Sequence, residues 1–291
     1  MATINSVRKH TKRSQVFFHL VTTNRLSNYI RNWISNSELR NINYDITEFD
    51  TSLLHSKVKL HSGRPELAKP MNYARFYYQI LFPHLKTRII HLDDDTIVQR
   101  DLTELSRVFI HDGHIAAFAE DCNWLLQKSS TMNRYEDYFN LEHELVKRYD
   151  VNPKACSFNT GVYVADLKAW KQHDITQKLD EILIANYKDY VYGNKYGGGG
   201  SQPPMMLALY KKYSKLPAEW HVQHLGDVKV DSLYSSDFIE NKAKLLHWNG
   251  RLKPWKLTSP YHHIWKRYYV ADPSKRFTLS PNTNKSFKEP T

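Results

Sequence analysis

The sequence predicts an α/β layered domain with a largely parallel sheet, because strand-like and helix-like segments alternate along its first hundred residues. Gln15 to Val21 (QVFFHLV), Asn43 to Phe49 and Arg88 to Leu92 are short apolar, β-branched or aromatic runs of strand length. Between them, two stretches repeat apolar residues at helical spacing. The third run ends in three adjacent carboxylates, Asp93, Asp94 and Asp95. Unpaired burial of three neighbouring anions is costly, so the run is either a solvated turn or a site for a cation.

Taken in order, Ala2 to Ser14 carries Ile4 and Val7 at helical spacing and ends in basic residues that suit a helix C-terminus. Ser27 is the expected N-cap of a helix with Tyr29, Ile30, Trp33 and Ile34 on one face. Pro70 to Phe82 reads as a helix with Tyr73, Phe76, Tyr77 and Ile80 on its apolar side. Ile115 to Ala119 and Ser157 to Ala165 read as strands, and Asn133 to Asp150 as a polar helix studded with aromatic residues. Asp166 is placed as the cap of a helix through Trp170, and Thr176 as the cap of the next, to about Tyr187. The Gly197 to Gly200 run reads as a connector ahead of a helix that starts at Pro203-Pro204. Lys244 to His247 is a further short strand. A domain over residues 1–273 is followed by a Ser, Asn, Pro and Lys-rich tail, 274–291, expected to be disordered.

Composition limits the function. The charged fraction of 24% and hydrophobic fraction of 41% are those of an ordinary globular protein. A net charge of +11 favours anionic partners, but it is dispersed, and no nucleic-acid-binding motif accompanies it, so no nucleic acid is expected as partner. Cys122 and Cys156 are too few for a disulfide scaffold and lack zinc-finger spacing. They suit either two buried thiols in a reducing compartment or one bridge in an oxidising lumen. There is no apolar run of membrane-spanning length and no apolar leader segment.

The acidic run gains meaning from a distant segment. In an extended backbone Asp93 and Asp95 point the same way while Asp94 points elsewhere. His247 ends an apolar strand as Asp93 does, so both can reach one edge of a layered sheet. Two carboxylates and an imidazole are a reasonable set for Mn²⁺. Lys253, in a loop hinged at Gly250, can present a positive charge to a phosphate.

Here a resemblance becomes specific. Asp93-Asp94-Asp95 looks like the DxD motif of GT-A glycosyltransferases, and the stretch from His247 to Trp255 (HWNGRLKPW) matches the HxxGxxKPW signature of glycosyltransferase family 8. Phe158-Asn159-Thr160-Gly161-Val162 resembles that family's FNxGV strand, and Asp166 to Trp170 its continuation. The phrasing is most similar to the animal glycosyltransferase 8 domain-containing proteins. The resemblance implies a GT-A fold, a Rossmann-like layered mixed sheet flanked by helices. It also implies retaining transfer of a hexose from a UDP-sugar to a hydroxyl of a glycan or glycoconjugate acceptor. Carried over, Asp93, Asp95 and His247 bind Mn²⁺, and Lys253 and the Gly250 backbone meet the donor diphosphate. Asp94 touches the ribose, and Arg75 and Asn159 lie near the donor phosphates and sugar.

Three departures follow from the same comparison. Family members place an apolar strand and a base-binding loop before an AINS-type helix, whereas this sequence opens inside that helix at Met1-Ala2-Thr3-Ile4-Asn5-Ser6. A sheet without its first strand is therefore expected, together with the lack of a base pocket and of the usual signal anchor. The family's Asp-Gln pair near the reaction centre is Ser201-Gln202 here, leaving Gln202 as the candidate. The resemblance also implies a Golgi lumen, where Cys122 and Cys156 would pair and Asn284 would be a glycosylation sequon; a start at Met1 without an anchor implies the cytosol. The alternative reading is a catalytically impaired relative that keeps the fold and binds metal, UDP or a protein partner without turnover.

Overall fold

A computed structural model describes residues 1–12, 15–61, 65–122, 133–193, 199–227 and 233–279. In chain order its first elements are α1 (Ala2–His10), β1 (Phe18–Thr22), α2 (Asn24–Ser35), β2 (Tyr44–Glu48), α3 (Tyr78–Leu81) and β3 (Arg88–Leu92). Next come β4 (Thr96–Val98), α4 (Leu102–Ser106), β5 (Ala116–Glu120), α5 (Glu144–Arg148), β6 (Phe158–Asp166) and α6 (Leu167–Gln172). The series ends with α7 (Ile175–Lys188), α8 (Gln202–Ala208), β7 (Tyr213–Lys215), β8 (Leu245–His247) and α9 (His262–Lys266). The chain forms two compact units. One comprises Met1–Glu48, Leu92–Arg107 and Pro217–Thr291; the other comprises Phe49–His91 and Val108–Leu216.

In the first unit β1 and β2 pair in parallel, Leu20 opposite Ile46. A second ribbon is antiparallel, β4 with β8, and sets Thr96 opposite His247 and Val98 opposite Leu245. Helix α1 fastens this ribbon. The Thr3 hydroxyl lies 2.9 Å from the Asp94 carbonyl oxygen and 2.8 Å from that of Thr96. Ser6 Oγ accepts from the Val98 N–H at 2.9 Å. Ile4 joins Trp33, Ile34, Leu39, Ile42 and Val270 in one core, against which Phe277 packs.

In the second unit four strands lie in the order β3-β6-β5-β7. Strand β5 runs antiparallel to β6 and parallel to β7, so the sheet is mixed where alternation alone predicted a largely parallel one. The rings of Phe118 and Phe158 stack at 4.2 Å between centroids, and Tyr163 packs on Phe118 at 4.9 Å. A disulfide joins Cys122 to Cys156, closing the choice that composition left open.

Several local expectations change for identifiable reasons. The helix expected over Asn133 to Asp150 is instead a 3-10 turn, Tyr135–Asp137, and the short α5. The Asp137 carboxylate accepts from the backbone N–H of Asn133 and Arg134, and His143 Nδ1 accepts from Leu145 N–H, so side chains end the helical ladder locally. Pro70–Phe76 is a 3-10 helix followed by α3, and Ile80 is exposed rather than on the apolar side. Thr23, not Ser27, occupies the N-cap position of α2, without a side-chain capping bond; Ser27 lies inside the helix and donates to Glu48 at 2.7 Å. Asp174 precedes α7 in the left-handed region, while Thr176 donates to the Phe76 carbonyl. Asp166 caps α6 as expected, accepting from Ala169 N–H at 2.9 Å. The first half of the glycine run, and the tail from residue 280 on with its sequon, lie outside the described residues.

Replacing Thr3 with valine keeps the shape but removes the hydroxyl that meets two carbonyls beneath the acidic turn. Thr3→Val is expected to cost about 1–3 kcal/mol of stability, read as a lowered midpoint in urea; an unchanged midpoint would show that α1 does not hold the turn.

Candidate active site

The acidic turn is held at both edges by hydrogen bonds to its backbone carbonyls. Thr96 Oγ1 donates to the Asp93 carbonyl at 2.7 Å, and Trp248 N–H donates to the Asp95 carbonyl at 3.0 Å. The β4–β8 register then brings His247 to the Asp95 side chain. His247 Nε2 lies 3.1 Å from Asp95 Oδ1 and 3.8 Å from Asp93 Oδ2. Among the described residues Asp93, Asp95 and His247 form a set whose donor atoms all lie within 4.8 Å of one another. Asp95 and His247 are buried, whereas Asp94, in the turn, is exposed.

Lys253 Nζ pairs with Asp95 Oδ2 at 2.5 Å and lies 3.3 Å from the Trp248 carbonyl oxygen. Burial raises the Asp95 pKa, but the His247 imidazole and the Lys253 ammonium outweigh it and bring it down to about 2. The other oxygen, Asp95 Oδ1, is buried and accepts no hydrogen bond even though His247 Nε2 is close by. An orphaned carboxylate oxygen beside an imidazole nitrogen, with no aligned proton between them, fits a cation held by both. The chemistry of the donor set, two oxygens and one nitrogen, suits a divalent ion of intermediate hardness.

Gly250 has φ +124° and forms a parallel bridge with Gly226. A Cβ on Gly250 would fall 2.7 Å from the Gly226 carbonyl, and one on Gly226 would fall 2.8 Å from the Trp248 carbonyl. Both positions therefore exclude a side chain, which lets the two backbone segments pack directly against each other.

The remaining candidates belong to the second unit and meet one another there. Asn159 Oδ1 accepts from Gly161 N–H at 2.8 Å, and its Nδ2 donates to Gln202 Oε1 at 3.3 Å. Gln202 Nε2 donates in turn to the Tyr138 hydroxyl at 3.0 Å. Arg75 donates to the carbonyl of Thr160, next to Asn159, and to that of Asn72. Two participants had no motif to announce them. Tyr138 completes the amide chain, and His221, fully buried, places Nε2 2.8 Å from His247 Nδ1. Burial first, and then the charge of His247, lower the His221 pKa well below its usual value, so it is neutral.

A four-stranded mixed sheet in one unit, and an Asp-x-Asp turn beside a buried histidine in the other, are the parts of a nucleotide-sugar transferase. The glycosyl transferase family 8 profile matches residues 1–259. Glycosyltransferase 8 domain-containing protein 1 of Bos taurus is 37% identical over 284 residues, covering 96% of this chain and 76% of that protein. The human glycosyltransferase 8 domain-containing protein 2 is 39% identical over 287 residues, covering 96% and 80%. Among solved structures, the galactosyltransferase LgtC with donor and acceptor sugar analogs superposes with a TM-score of 0.63 at 16% identity, over 92% of this chain and 90% of that one. Mouse xyloside xylosyltransferase 1 does so with a TM-score of 0.53 at 17% identity, over 86% and 91%. The chain belongs to glycosyl transferase family 8 and has the GT-A fold.

A neutral buried histidine gives a pH signature with a definite sign. His221 has a folded pKa below its unfolded value of about 6.5, so the unfolded chain binds more protons as pH falls, and stability is lost. Metal-free protein is expected to lose up to about 1.4 kcal/mol per pH unit from this group below pH ~6.5. Melting curves from pH 7 to 5 should show a shallower slope for His221→Gln; equal slopes would contradict a neutral His221.

Proposed function

We propose that the chain is a retaining glycosyltransferase that moves a hexose from a UDP-sugar to an acceptor hydroxyl with Mn²⁺ as cofactor. The single observation that carries the reading is the Asp93, Asp95 and His247 set, with a buried carboxylate oxygen left unpaired and Lys253 on the other. Asp93, Asp95 and His247 would hold the ion, which when bound supplies positive charge against a diphosphate leaving group. Lys253, held against Asp95 Oδ2, carries a second positive charge at the same turn, suited to charge that develops on the departing phosphate. The Gly250 backbone is assigned to the same diphosphate from the family resemblance, its Cβ side being closed by Gly226 and Asp227.

The Asn159, Gln202 and Tyr138 chain is assigned to the donor sugar, because its amides are fixed by one another and offer donors and acceptors to hydroxyl groups. Arg75, tethered to the Thr160 carbonyl, is assigned to the donor beside Asn159, and the exposed Asp94 to the ribose. Ser201, where an acidic residue was expected, carries no base, and among the described residues no carboxylate is put forward as an enzyme nucleophile. Front-face attack by the acceptor hydroxyl needs none. Among the described residues no helix is long and apolar enough to cross a membrane. The Cys122–Cys156 disulfide suits an oxidising compartment, in keeping with a Golgi lumen.

UDP with Mn²⁺ at one hundred times its dissociation constant is expected to stabilise the protein by about 2.7 kcal/mol, read as a higher melting temperature. Asp95→Ala should abolish the shift. No shift at millimolar concentrations would overturn the proposal. A shift without UDP release from any UDP-hexose in the presence of acceptors would leave the non-catalytic relative as the better reading.

A further inference from the structure

A second imidazole lies behind His247. His221 is 1% exposed, its ring centroid is 5.1 Å from that of His247, and the planes are inclined by 23°. The contact is polar as well as stacked, with His221 Nε2 at 2.8 Å from His247 Nδ1. The backbone sets the height of the ring. Val222 N–H donates to the Leu245 carbonyl and His247 N–H donates to the Val222 carbonyl, each at 2.9 Å, so this segment runs beside β8.

A neutral imidazole binds a cation through the nitrogen without a proton and carries its proton on the other. His247 Nε2 is the atom that faces Asp95 and Asp93. If Nε2 is given to a cation, Nδ1 must carry hydrogen, and in this interior an unpaired N–H is costly. The partner in place is His221 Nε2. As an acceptor through Nε2, His221 must carry its own proton on Nδ1, which is buried with no hydrogen-bond partner, so the unpaired N–H is moved from the metal ligand to His221. Packing alone would favour a phenyl ring at this position, with no orphaned nitrogen. The polar atom is tolerated for what the opposite nitrogen does.

We propose that His221 is the positioning residue of the metal centre: its Nε2 accepts the Nδ1–H of His247 and so holds His247 in the tautomer whose Nε2 lone pair faces Asp93 and Asp95. This rests on the metal-binding reading above, which no motif extends to His221.

The test is titration of the full chain with MnCl₂ by calorimetry, for wild type, His221→Phe and His221→Gln. Phenylalanine keeps the ring but has no acceptor; glutamine brings an amide oxygen to a similar reach. The phenylalanine variant is expected to bind Mn²⁺ roughly 10–100-fold more weakly, with glutamine restoring most of the loss. Wild-type-like Mn²⁺ binding by His221→Phe would overturn the role of His221 and leave the metal site standing. Absence of Mn²⁺ binding by the wild type would instead overturn the metal reading itself, and this one with it. Should His221→Phe fail to fold, nitrogen-15 spectra of wild type saturated with diamagnetic Mg²⁺ decide: His247 is expected as the Nδ1–H tautomer, and a proton on His221 Nε2 would overturn the proposal.

Discussion

The first unit turns on a carboxylate kept out of water. Asp95 is buried, and an isolated charge there would be strongly unfavourable. It stays ionised because Lys253 takes one oxygen and His247 stands against the other. Those two residues lie more than 150 positions away in sequence, so the arrangement exists only if β4 and β8 pair in one register. A slip of a single residue would turn His247 to the opposite face and leave Asp95 with no partner there. Helix α1 and the Trp248 N–H guard against that slip by binding the carbonyls of Asp94, Thr96 and Asp95.

The second unit solves a different problem, fixing flexible amides. Asn159 sits within β6, its own Oδ1 taken by Gly161 N–H, so its amide nitrogen has a single direction left. Gln202, at the first turn of α8, is aligned by that nitrogen and by Tyr138. Arg75 braces the same stretch of β6 through the Thr160 carbonyl. Long polar side chains held by one another lose little further entropy when a ligand arrives.

Legibility in the sequence followed the range of the interactions. Strands β1, β2, β3, β5, β6 and β8 were visible as strand-length runs of apolar, β-branched or aromatic residues. The expectation of one helix over Asn133 to Asp150 failed because Asp137, Asn140 and His143 bind backbone groups nearby, a choice that periodicity does not reveal. Ser27 and Thr176 looked like caps, but tertiary acceptors, Glu48 and the Phe76 carbonyl, claimed their hydroxyls. The metal-ligand candidates were legible because spacing and residue type both restrict them.

By itself, then, the sequence determined the layered α/β class, the Asp-x-Asp turn, and the pairing in principle of that turn with the histidine and lysine of the HxxGxxKPW segment. Tertiary structure alone decided which atoms of those residues meet. It directed Lys253 to Asp95 Oδ2 and left Oδ1 unpaired, brought Gly226 against Gly250, and seated His221 behind His247. The physical reason is that side-chain chemistry is local, whereas the register that joins β4 to β8 and carries residue 221 alongside is settled by cooperative burial across the whole unit.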